Sequence, residues 1–148
     1  VLEVDDLTPG ETDALNQAQV NPVVSSNGGV VLWGGRTLTV DPEVTYIAVQ
    51  RLAMHVDARV RQTLDWATGE ASDSALWDAA RADVEALLDG LWRDGAFQGS
   101  RTQDAYFVRS DHTTHTDDDI QAGRLNVVVG FAALRPAEFV VRRVTIEL

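Results

Sequence analysis

The sequence contains no cysteine and no lysine, and only one methionine, Met54, among its 148 residues. Without cysteine the chain can form no disulfide, no zinc–thiolate site and no thiol nucleophile. No apolar run approaches the ~18 residues that a membrane-spanning helix needs, so membrane insertion is not expected. Hydrophobic residues make up 45% of the chain, which is enough to bury a core and excludes general disorder.

Basic residues are also scarce, because 12 arginines stand against 23 acidic residues and give a net charge of −11. A net anion of this size repels phosphate backbones and anionic membrane surfaces, so neither is an expected partner. Arginine makes bidentate contacts and is favoured at protein interfaces. The absence of lysine is equally compatible with a GC-rich genome or a saline habitat.

A short helix is predicted near the start of the chain. Thr8 is the expected N-cap, Pro9 the first helical residue and Glu11 the partner that closes a capping box. Asn21-Pro22 is predicted to end this helix, because the residue before proline avoids the helical region.

Two longer amphipathic helices follow. The first is predicted at about residues 42–66, with Asp41 as N-cap and apolar residues recurring every three or four positions from Val44 to Leu64. The second is predicted at about residues 74–94, capped by Ser72-Asp73-Ser74 and ended at Gly95. Helices of this kind need a shared apolar surface to pack against.

Strands are predicted to supply that surface. Asn27-Gly28 between the apolar runs Val20–Ser25 and Val30–Trp33 indicates a hairpin. Three further strands are predicted at Ala105–Arg109, Leu125–Leu134 and Glu138–Leu148. The last two are joined at Arg135-Pro136-Ala137 as an antiparallel hairpin. The expected fold class is therefore α+β: an antiparallel sheet with a C-terminal hairpin, packed against two long helices plus a short N-terminal one.

One stretch of the chain concentrates side chains that could bind a metal or act in catalysis. It is Ser110–Asp119, which contains two histidines and four aspartates. One hypothesis is a divalent metal site made by His112, His115 and Asp117 or Asp119, in a small metal-binding module or metal-dependent enzyme. The spacing matches no known motif, and a solvated turn with Asp117–Asp119 beginning a helical turn is the favoured interpretation. Since no nucleophile elbow or phosphate loop is present either, we predict no enzyme activity, no catalytic residue and no cofactor.

Several segments, in order, resemble the C-terminal domain of contractile tail sheath proteins, which belong to contractile phages and phage-tail-like injection systems. The matching segments are Asp13–Asn16, Val20–Val23, Gly29–Leu38 (containing Trp-Gly-Gly-Arg-Thr-Leu), Asp41–Glu43 with Tyr46–Leu52, Leu76-Trp77, Leu88 and Leu91–Ala96, Tyr106–Arg109 with Asp111 and Thr113-Thr114, Gly123–Val127 and Arg135–Val141. The chain departs from the family in the turn Gly69–Asp73 and at His115, where family members often have Asn. Both departures lie in predicted turns and affect local detail more than the fold.

This resemblance implies a mechanical role. Residues 1–148 are expected to form a sheath C-terminal domain, as a fragment of a larger subunit that polymerises into a helical jacket. The implied partners are further copies of the chain, an inner tube protein, and baseplate and tail-terminator proteins. The expected location is a virion tail or a cytoplasmic contractile particle, where contraction drives the tube through a target envelope.

The end of the chain is the principal interface candidate. Its strand alternates a mostly apolar and a mostly polar face, and a terminal strand with open backbone groups tends to pair with another chain. The predicted inter-subunit residues are Val140, Val141, Arg142, Arg143, Val144, Thr145 and Ile146, with Val1, Leu2 and Val4 as a second strand, so that residues 140–148 and 1–6 act as arms. In the alternative, the terminal strand closes its own sheet and Arg142 and Arg143 are merely solvated. The resemblance favours exchange, because sheath subunits add terminal strands to their neighbours.

Overall fold

The computed structural model describes residues 7–26, 29–39, 44–133 and 139–148. The chain divides into two compact units, Val1–Arg51 and Leu52–Leu148. Four predicted features lie outside the described residues: the entry segment with Val1, Leu2 and Val4, the Asn27-Gly28 turn, the Asp41-Pro42-Glu43 helix start and the Arg135-Pro136-Ala137 turn.

The first unit contains helix α1 (Pro9–Gln17), whose predicted capping box is confirmed: Thr8 is the N-cap and bonds reciprocally with Glu11. The prediction that Asn21-Pro22 ends this helix is wrong, because α1 ends at Gln17 and Gln19 adopts a positive φ of 64°. Asn21 instead binds a loop: its side-chain amide donates to the Arg36 carbonyl, and its side-chain oxygen accepts from the Arg36 amide.

The predicted hairpin of the first unit is confirmed. Strands β1 (Val23–Ser26) and β2 (Gly29–Leu32) pair antiparallel, with Val24 opposite Val31. The pairing forms a sheet of two strands. A hairpin of this size is at best marginally stable by itself in water, so its neighbours matter.

The second predicted helix is not continuous from its expected start, since Thr45 and Tyr46 are not helical and α2 covers Ile47–Thr63. The residues just before it are extended: the Thr37 amide donates to the Thr45 carbonyl, and Arg36 forms an isolated antiparallel bridge with Tyr46. This pairing across a loop competes with the helical hydrogen bonds that the periodicity from Val44 onward predicted.

The second unit holds the third predicted helix, α3 (Ser74–Arg93), whose N-cap Asp73 accepts from the Leu76 amide. Gly95 follows the helix with a φ of 81°, which is the left-handed conformation expected just after a helix end. A short 3₁₀ turn, Asp65–Ala67, follows α2, and a four-residue helix, α4 (Thr102–Ala105), precedes the sheet. Neither element was predicted from the sequence.

The sheet of the second unit contains three antiparallel strands in the order β3 (Tyr106–Arg109), β4 (Arg124–Ala132) and β5 (Phe139–Glu147). A short helix, α5 (Asp117–Gln121), connects β3 to β4. The α+β fold with two long helices, one short N-terminal helix and a C-terminal β-hairpin is therefore confirmed.

The core of the second unit lies between its helices and one face of this sheet. The largest fully buried side chains come from both layers: Val56, Val60 and Leu64 in and after α2, Val84 and Leu88 on α3, and Leu125, Val127, Val129, Phe131 and Val144 on β4 and β5. Alternation along the strands points the remaining side chains to a second face, which α5 covers at one end through the Asp119–Arg124 ion pair. None of the described helices is long and apolar enough to cross a membrane.

Candidate assembly surfaces

The predicted inter-subunit strand Val140–Ile146 corresponds to β5, which pairs with β4 along its whole length. Val144 is buried with 1% of its surface exposed, so β5 is part of the core of its own unit. Arg142 is not merely solvated, because its guanidinium binds the Asp57 carboxylate at 2.7 Å and the carboxylate raises the Arg142 pKa. The alternation therefore places Val144 and Arg142 on the helix side of the sheet.

The register shows which backbone groups of β5 point away from β4. The Leu148 amide donates to the Gly123 carbonyl at 2.8 Å, which makes Gly123 and Leu148 a hydrogen-bonded pair in line with the ladder. Hydrogen-bonded and non-hydrogen-bonded pairs alternate in antiparallel sheets, so the backbone groups of Val141, Arg143 and Thr145 point outward.

One outward group of β5 has an intramolecular partner. Arg61 Nη1 donates to the Thr145 carbonyl at 3.0 Å, which agrees with the direction deduced from the register. The outward groups of Val141 and Arg143 have no backbone partner in the described part of the chain. The edge of β5 is therefore closed near Thr145 and open at its middle.

The β1–β2 hairpin has a second open edge. The Trp33 amide donates to the Pro22 carbonyl at 2.7 Å, which identifies Pro22 and Trp33 as a hydrogen-bonded pair. By the same alternation, the backbone groups of Val30 and Leu32 point away from β1. All four residues of β2 are exposed, and Val30 and Leu32 expose 61% and 63% of their surfaces.

A small depression lies between α1 and the hairpin within the first unit. It has a volume of about 240 Å³ and is lined by Leu7, Pro9, Thr12, Asp13, Val24, Ser25 and Trp33. Pockets that bury a small-molecule ligand usually measure roughly 300–1,000 Å³. The depression is therefore small for a ligand site, and the exposed apolar side chains beside it have the character of a protein contact surface.

The metal-site hypothesis is wrong for His115, because both ring nitrogens already have protein partners. Nδ1 donates to the Asp111 carbonyl at 2.9 Å, and Nε2 accepts from the Asn126 amide at 2.9 Å. The ring is buried and stacked on Trp77, with centroids 4.2 Å apart and an interplanar angle of 9°. His115 therefore anchors the turn to α3 and β4.

The acidic residues near His115 have structural roles that agree with the favoured interpretation. α5 begins at Asp117, and Asp119 forms a capping box with Thr116. The Thr116 amide and hydroxyl, together with Arg124, hold the pKa of Asp119 well below its usual range. His112 and Asp117 are exposed, and the described residues contain no group of three side chains able to hold a metal ion. The structure gives the metal hypothesis no support.

Two features of these surfaces were missed from the sequence. One is that β5 closes its own sheet, as the alternative held, and still has an open outer edge. The other is the exposure of β2, which was read only as a strand. Its run Val30-Val31-Leu32-Trp33 has no polar alternation, and an exposed hairpin with this composition indicates that both faces contact something else.

Comparison with known proteins identifies the family. The sequence profile of the phage tail sheath C-terminal domain matches residues 39–147. A chain in the cryo-EM structure of the anti-feeding prophage (AFP) baseplate aligns with a TM-score of 0.80 and 32% identity over 97% of this chain and 41% of its own. A chain of the contracted sheath complex of PVC, an extracellular contractile injection system, aligns with a TM-score of 0.78 and 33% identity, over 93% of this chain and 40% of its own.

A more distant structure shares the fold alone. The sheath tail protein of Desulfitobacterium hafniense aligns with a TM-score of 0.73 at 14% identity, over 98% of this chain and 34% of its own. No curated protein sequence matches the chain significantly. The chain spans about 40% of the length of the AFP and PVC chains that it matches. The profile match over residues 39–147 and the identity to the AFP and PVC chains show that this chain belongs to the phage tail sheath C-terminal domain family.

Proposed function

We propose that residues 1–148 form the assembly domain of a contractile sheath subunit, which polymerises around an inner tube and rearranges to drive that tube through a target envelope. Its partners are further copies of the chain, the inner tube protein, and baseplate and terminator proteins of a contractile particle. The role is mechanical rather than enzymatic. The resemblance to AFP and PVC chains supports this assignment.

The observation that carries the proposal is the β1–β2 hairpin. Its strand β2 exposes apolar side chains on both faces, and the backbone groups of Val30 and Leu32 point outward. A two-stranded hairpin gains stability when a third strand completes its ladder. A strand from a neighbouring copy satisfies these backbone groups and covers the apolar side chains.

The open middle of β5 provides a second junction. β5 pairs with β4 on one side, and the outward groups of Val141 and Arg143 are available to a strand from another copy. Residues 1–6, with Val1, Leu2 and Val4, are the proposed donor arm. Residues 140–148 act at the same junction as the receiving strand, with Val144 anchoring them to their own core.

Proline substitution at the outward positions tests strand addition. Val30→Pro and Arg143→Pro each remove an amide that points away from the intramolecular ladder, and proline is tolerated on such edges. The variants should remain folded, as judged by circular dichroism and urea unfolding. Electron microscopy of the purified protein should then show long tubes for the parent and few or none for either variant.

Alanine substitutions at the same positions are the matched controls, because Val30→Ala and Arg143→Ala keep the backbone amide. Tube yield should exceed that of the corresponding proline variant in each case. Folded proline variants that form tubes at the parental yield would show that these edges are not used. A parent protein that forms no sheath-like assembly under any condition contradicts the proposed function itself.

A further inference from the structure

The sheet of the second unit has an outer face that the described helices cover only at one end, where Asp119 of α5 binds Arg124. Alternation and register place on this face, among others, Phe107, Arg109, Val128, Phe139, Val141 and Arg143, and we call this group of six the outer face. Phe139 and Val141 expose 40% and 53% of their surfaces. This is a continuous surface of aromatic, aliphatic and guanidinium groups.

The aromatic centre of the outer face is ordered by packing. Gly130 lies opposite both Phe107 and Val141, and a Cβ at Gly130 would lie 2.0 Å from the Phe107 ring. The Phe107 ring therefore lies over Gly130, with the Phe139 ring centroid 5.8 Å away. The Arg109 guanidinium lies 5.9 Å from the centroid of Phe107. A preordered aromatic centre flanked by arginines is the composition of a protein interface core.

The two arginines of the outer face have no acidic partner in the described part of the chain. Five other arginines do bind carboxylates: Arg81, Arg93, Arg101, Arg124 and Arg142. Asp111 lies close enough to Arg109 to be affected weakly, but its lowered pKa comes mainly from Thr113. The acidic residue on the outer side of β5, Glu147, is four residues from Arg143 and so about 13 Å along the strand. The arginine charges are therefore available to a partner.

The chain itself supplies the complementary surface, since it carries a net charge of −11. Five aspartates of the second unit are already engaged, because Asp57, Asp78, Asp89, Asp104 and Asp119 each bind an arginine. Asp117 and Asp118 on α5 are exposed and in no ion pair among the described residues. Ile120, one turn from Asp117, exposes 38% of its surface. α5 thus presents an apolar side chain beside two carboxylates.

We propose that the outer face docks α5 of a second copy of this chain, with Ile120 packed near Phe107 and Val141, and Asp117 and Asp118 paired with Arg109 and Arg143. The two arginines lie on strands separated by β4, so their backbones are about 10 Å apart. Consecutive helical side chains diverge by about 100° and can reach toward separate cations. The inference rests on the proposed function in that it requires copies to associate, and it adds a contact made by side chains rather than by strand addition.

A pair of charge-reversed variants tests this contact without requiring tubes. The first variant, Arg109→Glu with Arg143→Glu, reverses the outer face, and the second, Asp117→Arg with Asp118→Arg, reverses α5. Each variant alone brings like charges together and should sediment as smaller species than the parent. The equimolar mixture should form a complex that contains both variants in analytical ultracentrifugation at low salt. The complex should dissociate at about 1 M salt, where the Debye length falls to ~3 Å.

The possible outcomes distinguish the docking of α5 on the outer face from the formation of a polymer by strand addition. A complex in the mixture, and restored self-association in the chain carrying all four substitutions, supports the docking of α5 on the outer face. Mixtures that remain monomeric overturn it and indicate that another protein covers this face, even where the parent forms tubes. If the mixed variants form the complex but the parent forms no sheath-like assembly, the docking contact is supported and the proposed function is contradicted. If a reversed variant loses its parental circular dichroism spectrum, two neutral variants replace the reversed pair: Arg109→Gln with Arg143→Gln, and Asp117→Asn with Asp118→Asn. Each neutral variant should associate less than the parent. Association at the parental level in either one overturns the docking.

Discussion

His115 shows that the packing of the second unit, Leu52–Leu148, depends on the hydrogen bonds of a single side chain. Its ring satisfies the buried Asn126 amide on one side and the Asp111 carbonyl on the other, and it stacks on Trp77. A side chain predicted to lie in a solvated turn is thus part of the core in this chain. Among the described residues, no buried side-chain nitrogen or oxygen lacks a partner. Removal of the His115 ring would leave the buried Asn126 amide without its acceptor.

We therefore expect His115→Ala to lower the free energy of unfolding by about 2–4 kcal/mol, since it leaves the Asn126 amide without an acceptor and removes the stacked ring. Urea unfolding followed by tryptophan fluorescence measures this loss. His112→Ala is the matched control in the same turn, and because His112 is exposed its effect should stay within about 0.5 kcal/mol. Equal losses for the two variants would mean that His115 does not hold the turn.

At the scale of the element, β5 has two faces with different roles. The helix side contains Val144, which is 1% exposed, and the outer side contains Val141, which is 53% exposed. The bidentate pair between Arg142 and Asp57 connects the strand to α2. β5 therefore cannot be removed as a detachable arm, since its loss would open the core and leave β4 as an edge.

The same substitution on the two faces measures this difference. Val144→Ala should lower the free energy of unfolding by about 2 kcal/mol, because each buried methyl-sized group contributes ~0.8 kcal/mol and a cavity adds to the loss. Val141→Ala should change it by no more than about 0.5 kcal/mol in dilute protein. Thermal or urea unfolding of both variants provides the comparison. A larger effect at Val141 would reverse the assignment of the two faces.

At the scale of the whole molecule, the two units differ in what holds them together. The second unit, Leu52–Leu148, contains the buried apolar core, while the apolar side chains of the hairpin in the first unit are mostly exposed. Local opening is easiest where few apolar contacts form. The hairpin is therefore the part of the chain whose order depends most on a neighbour.

Hydrogen–deuterium exchange should show this difference. In the unassembled chain, the amides of β4, which is hydrogen-bonded on both sides, should exchange slowest, and those of β1 and β2 should exchange rapidly. Assembly should slow exchange in β2 by at least tenfold, while β4 should change little. Hairpin amides that are as protected as β4 in the unassembled chain would indicate that the hairpin needs no third strand.

The local signals in the sequence determined most of the secondary structure. Thr8 and Asp73 cap their helices as predicted, and period-two alternation located β5. These features depend on residues within about four positions of each other, which is why they can be read without a fold. The tertiary structure alone decided where α2 begins, because Arg36 pairs with Tyr46 immediately before Ile47. It also decided the role of His115, the open edges of β2 and β5, and the exposure of the outer face, since each depends on which distant segment packs against it.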